Sequence, residues 1–167
     1  CSYDWCFYLQ ADEVLHELDY DAIREAIETA NTIPSIQGVL FNYVHFYGSY
    51  GVIASSRKWY RKEIRLIRKS SGAKSYKDAQ GFRIDGRKLE VIASNARIFH
   101  YGWVKPPARM GIKSKLLNRL WHGSQRDSHF EQFQYEKSYG LRKFKGSHPQ
   151  VMQKLVAKQD WQFDPKR

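Results

Sequence analysis

The sequence predicts an α/β fold, and three stretches near its start carry that expectation. Trp5 to Gln10 is a short, mostly apolar run of the kind that forms a strand buried on both faces. Tyr20 to Ala30 places Ile23, Ala26, Ile27 and Ala30 at helical spacing. The run "GVLFNYVHFYG" is rich in Val, Phe and Tyr and favours a second strand. Strand, helix, strand is the opening of an α/β chain.

Local signals set the boundaries. Asp19 is in place to cap the helix, and Leu18 and Ile23 are spaced as a hydrophobic staple. The segment "NTIPS" reads as a turn. Tyr47-Gly48-Ser49-Tyr50-Gly51 reads as a loop, with glycines that would also allow a flap to hinge. "RKWYRKEIRLIRK" (57–69) alternates around Ile64 and Leu66 as a strand does. "FRIDGRKLEVIA" holds Asp85-Gly86, a strong hairpin-turn signal. "ARIFHYGWV" is a further strand. Pro106-Pro107 then starts a helix near 108–122, with Leu116, Leu117, Leu120 and Trp121 on one stripe. "SHPQVMQKLVAK" shows Ser147 and Gln150 in capping-box spacing, with Met152, Leu155 and Val156 facing inward.

The 167 residues suit one domain, with residues 1–104 as sheet and site core and residues 105–167 as a helical C-terminal segment. Apolar residues make up 42% of the chain, enough for a core, and no apolar run nears membrane-spanning length. Cys1 and Cys6 lack metal-ligand spacing, and their usage suits a reducing compartment. The charge of +11 is unevenly spread. Residues 1–30 hold eight acids against Arg24, a balance of −7, which leaves +18 for residues 31–167. So basic a body implies an anionic partner. The acids Asp12 and Glu13 stand where the first apolar run ends. In an open α/β sheet that is where ligands gather, and where a divalent cation held by carboxylates could bridge a diphosphate.

"DWCFYLQADEVLHE" resembles the strand and acidic motif of family-2-like glycosyltransferases of the GT-A fold. "SRKWYRKEIRLIRK", "SYKDAQGFRIDGRKL", "IFHYGWVKPPARM" and "FKGSHPQVM" are similar to downstream blocks of a bacterial subgroup, so the resemblance covers about Asp4 to Asp164. It implies a GT-A-like mixed sheet flanked by helices and lacking the N-terminal nucleotide-binding strands. It also implies inverting transfer of a sugar from a nucleotide-diphosphate sugar to an acceptor hydroxyl. Asp12 matches the last acid of the D-x-D element that holds Mn²⁺ or Mg²⁺; Gln10 replaces its first acid. His100 matches a histidine that completes the metal shell. Asp78 is the candidate base, with Glu63 in reserve between the neighbouring charges of Lys62 and Arg65. Glu13, Arg57, Trp59, Tyr60, Arg61, Gln80 and Trp103 are the candidate substrate-binding residues, since aromatic faces stack on sugars and arginine forks bind phosphate. His16, His45, His122, His129 and His148 read as structural or exposed.

The expected partners are a nucleotide-sugar donor and a carbohydrate or other hydroxyl acceptor, without a specific nucleic acid. The expected location is cytoplasmic, or peripheral to the inner face of the membrane. The chain opens into a strand without a leading Met, which suggests the catalytic and acceptor side of a longer enzyme whose bare sheet edge could self-associate. Two alternatives stand beside this expectation. One is a basic nucleic-acid-binding module, suggested by the interleaved cations and aromatics. The other is a relative of the transferases that keeps the fold without activity.

Overall fold

The computed structural model describes residues 2–77, 81–122, 133–136 and 140–165. In chain order the strands and helices are β1 (Trp5–Phe7), β2 (Glu13–Leu15), α1 (Tyr20–Thr32), β3 (Gly38–Tyr47), β4 (Ser49–Ala54), β5 (Lys62–Arg68), β6 (Lys74–Tyr76), β7 (Gly81–Ile84), β8 (Arg87–Lys88), β9 (Val91–Trp103), α2 (Pro107–His122), β10 (Leu141–Lys143) and α3 (Gln153–Ala157). Among the described residues the fold is mixed α/β: a curled mixed sheet with few helices.

Two long strands organise it. β3 and β9 pair in parallel from Gly38 opposite Val91 to Tyr47 opposite Trp103. The outer edge of β9 carries β2, antiparallel, with Glu13 opposite His100. The other edge of β3 is shared. β5 pairs with its first half, from Gly38 to Asn42, and β4 with its second, from His45 to Tyr47. The sheet therefore forks. One prong continues through β5 to β1, and the other through β4 to β10. A small second sheet, β6-β7-β8, turns at Asp85-Gly86, where both residues have positive φ (47° and 78°) as a two-residue hairpin turn requires.

Side-chain alternation along β3 and β9 gives each face its own cover. Val39, Phe41, Ala96 and Ile98 lie under α1 and pack with Ile23, Ala26 and Ala30. Phe46, Phe99 and Tyr101 face the other way and pack with Tyr50, Val104 and Met152. Beyond the reach of α1, the first face continues as Tyr43, His45, His100 and Gly102, a polar patch at the carboxyl ends of the two parallel strands.

Several expectations are corrected. Asp19 makes no capping bond. Its carboxylate accepts from the Arg97 backbone N–H and guanidinium at 2.8–3.0 Å, so it joins α1 to β9. Leu18 is 72% exposed, and the staple does not form. Residues 47–51 are no loop: Gly48 turns β3 directly into β4 with φ 73°. α2 buries Met110 in its first turns, but Leu116 and Leu120 are exposed, so its leucine stripe is not core. Ser147 bonds His16 Nε2 at 3.0 Å, and the Gln150 N–H goes to the Glu17 carboxylate, which leaves no capping box. Leu155 is exposed, whereas Met152 is buried. The C-terminal segment is not only helical, because β10 returns to the main sheet. Cys6 is disulfide-bonded, a pairing that the cysteine spacing did not lead one to expect. No helix among the described residues is long and apolar enough to cross a membrane.

Candidate functional site

Asp12 and Glu13 are adjacent in sequence and have opposite fates. Glu13 points inward, fully buried, and grips Arg65 bidentately at 2.8 and 2.9 Å. It also accepts from the Tyr43 hydroxyl (2.6 Å) and the Gln10 N–H (3.1 Å). Burial opposes its charge, but the Arg65 and Tyr43 hydrogen bonds outweigh that and hold the carboxyl below its usual range. With these partners Glu13 does not face a substrate; it closes the turn from Gln10 to Glu13 and so positions Asp12.

Asp12 points outward. Its Oδ2 lies 3.8 Å from His100 Nε2 and 3.5 Å from Lys113 Nζ. The Asp12 carbonyl accepts from the Tyr101 N–H at 2.8 Å, which pins this acid to β9. Gly102 leaves the space between the two donors open. A Cβ there would sit 2.5 Å from Asp12 Oδ2 and 2.7 Å from His100 Nε2. Lys113 donates to the Gly102 carbonyl at 2.8 Å, so an ammonium flanks the same space.

The hydrogen bonds behind His100 orient its ring. His45 lies opposite it across β3 and β9, Nδ1 to Nδ1 at 3.1 Å, and His45 Nε2 lies 2.7 Å from the Tyr60 carbonyl. A carbonyl only accepts, so His45 Nε2 carries a proton. Burial pushes the His45 pKa down to about 4, and the ring is neutral at pH 7 with an acceptor at Nδ1. His100 must then donate from Nδ1. Burial lowers its pKa as well, and Nε2 is the ring nitrogen turned toward Asp12. Asp12 Oδ2 and His100 Nε2 thus face one another across an open space, with the Lys113 ammonium 3.5 Å from the same carboxylate oxygen.

These two groups could share a divalent ion. Ligands about 2.1 Å from a shared centre can stand up to about 4 Å apart, so Asp12 and His100 are within common reach. Among the described residues no third His, Cys, Asp or Glu joins them. Water and phosphate oxygens would complete the shell, as is usual for such ions at phosphate sites.

The remaining candidates divide. Trp59, Tyr60 and Arg61 line a cavity of ≈ 490 Å³ between the prongs of the sheet, together with Asn42, His45 and Arg142. Trp103 stands edge-on to Trp59 at 6.0 Å, and Tyr47 contacts both rings. Arg57 is exposed and does not line that cavity. Asp78 and Gln80 lie outside the described residues. Glu63 has no ion-pair partner among the described residues, since Arg65 is taken by Glu13; burial raises its carboxyl. Sequence reasoning missed His45, Gly102, Lys113 and Arg142. His45 had a signal, because "NYVHFY" and "RIFHYG" each place a histidine near the end of a strand. Family models, curated proteins and solved structures were all compared with the chain, and none matches it.

Proposed function

We propose that the chain acts as a GT-A-type glycosyltransferase, which moves a sugar from a nucleotide-diphosphate donor to an acceptor hydroxyl. The observation that carries this is the pairing of Asp12 Oδ2 with His100 Nε2 at 3.8 Å, at the carboxyl ends of two parallel strands. Asp12 and His100 would hold Mn²⁺ or Mg²⁺, and the ion, when bound, supplies positive charge against the leaving diphosphate. Lys113 adds an ammonium beside the same space and helps neutralise that charge. His45 holds the His100 ring with its Nε2 toward Asp12. Trp59 and Trp103 offer aromatic faces for a sugar ring. The proposed base that takes the acceptor proton is Asp78, or Glu63, whose burial favours proton uptake. The site would lie at a membrane surface or in the cytoplasm.

The test is thermal denaturation with Mn²⁺ and UDP or GDP. The proposal predicts a rise in Tm that needs both metal and nucleotide and is lost in Asp12→Ala. Tight, salt-sensitive binding of arbitrary oligonucleotides with no metal requirement would favour a nucleic-acid module instead.

A further inference from the structure

The fork in the sheet creates a second place for chemistry. Where β3 exchanges β5 for β4, the prongs separate and leave the ≈ 490 Å³ cavity, a size typical of small-molecule sites. Each prong brings one arginine. Arg61 precedes β5, and its carbonyl accepts from the Tyr43 N–H at 2.8 Å. Arg142 lies on β10, opposite Ile53 of β4. Neither guanidinium has a hydrogen-bond or ion-pair partner among the described residues, although Arg65, Arg68 and Arg97 all do. Among the described residues no carboxylate lines the cavity. Trp59 and Tyr60 supply an aromatic wall, packed on His45 with ring centroids 5.0 and 4.7 Å away. Asn42 and Ser55 add neutral polar groups.

We infer that this cavity binds a phosphorylated sugar, its phosphate ester held by Arg61 and Arg142 and its ring laid against Trp59 and Tyr60. Guanidinium forks match phosphate oxygens bidentately, and two exposed arginines without an acidic partner at one cavity disfavour a cationic occupant. The ring wall separates this ligand from a bare anion, because an aromatic face gains from a sugar's C–H surface and nothing from free phosphate. This rests on the transferase proposal only in naming the ligand as the acceptor: the cavity would anchor an anionic group remote from the reacting hydroxyl, so that binding energy there serves positioning. His45 both lines this cavity and contacts His100.

The experiment titrates the full chain, without metal or nucleotide, with glucose 6-phosphate as the probe, following tryptophan emission and heat. The inference predicts saturable binding at least tenfold tighter than that of glucose or of inorganic phosphate. The affinity weakens with salt and falls tenfold or more in Arg61→Gln and in Arg142→Gln. Each variant is first shown to melt like the parent. Equal affinity for glucose and its phosphate overturns the inference, as does absence of saturable binding or indifference to both substitutions. Asp12→Ala serves as the control that separates the two ideas. If it abolishes the metal-nucleotide response and leaves glucose 6-phosphate binding intact, both stand. If the parent binds the sugar phosphate and gives no metal-nucleotide response, the transferase proposal fails alone.

Discussion

His45 and His100 meet across the parallel pair β3 and β9, Nδ1 to Nδ1 at 3.1 Å, and the Tyr60 carbonyl behind His45 leaves its Nδ1 to accept from His100. Fifty-five residues separate them in the chain. Their contact orients the buried His100 ring.

The first prediction follows from that contact. His45→Phe keeps an aromatic ring in the core and removes the acceptor for His100 Nδ1. Loss of such a supporting partner costs roughly 10- to 100-fold in metal affinity. Isothermal titration with Mn²⁺ measures it, and unchanged affinity would remove His45 from the site.

Gly102 gives an independent probe of the same space. Gly102→Ala puts a methyl group 2.5 Å from Asp12 Oδ2 and 2.7 Å from His100 Nε2. The carboxylate can swing away, whereas the buried imidazole is held. Mn²⁺ binding is expected to fall at least tenfold, and Tm to fall with it, because the held imidazole must shift. A variant that binds Mn²⁺ normally would place the ion elsewhere.

Glu13 and Arg65 predict a stability effect. Both side chains are almost wholly buried, so removing one charge leaves the other without its partner. Arg65→Met or Glu13→Gln is expected to cost about 3–5 kcal/mol in urea denaturation. The double variant should lose less than the two singles together, because no lone charge remains. Additive losses would show that the pair is not coupled.

Acid sensitivity has a definite sign. Burial depresses the pKa values of His45, His100 and His148 below 6.5, the first to about 4. Between those limits the unfolded chain binds more protons than the folded one, so stability rises with pH. It is fully present above about pH 6.5 and is lost progressively as pH falls toward 4. His148, bonded to the Tyr101 hydroxyl at 2.9 Å, lies apart from Asp12 and offers a clean variant. His148→Gln should flatten the decline of Tm between pH 7 and pH 5. An equally steep decline would assign the acid sensitivity to other groups.

What the sequence made legible was local. The α1 periodicity, the Val-rich run of β3 and the Asp85-Gly86 turn each depend on neighbours within a few residues, and each formed as expected. Asp12 and His100 were also named from the sequence, on a likeness of motifs, and the fold brings them together. The long-range partnerships were not legible. Nothing near Glu13 announces Arg65 fifty-two residues away, so a buried structural acid looked like a ligand. The leucines of α2 have core spacing, but a helix buries a stripe only where an element covers it, and Leu116 and Leu120 lack that cover. His45 matters only because two strands pair in parallel, and Arg142 only because β10 returns to β4.

The account depends on Asp12 and His100 sharing one ion, and counting bound Mn²⁺ by electron paramagnetic resonance tests that most directly. The parent chain is predicted to silence the free-ion signal at one Mn²⁺ per chain, and Asp12→Ala and His100→Ala are each predicted to weaken binding at least tenfold while melting like the parent. A parent that leaves the free-ion signal untouched, or either variant binding as the parent does, would contradict it.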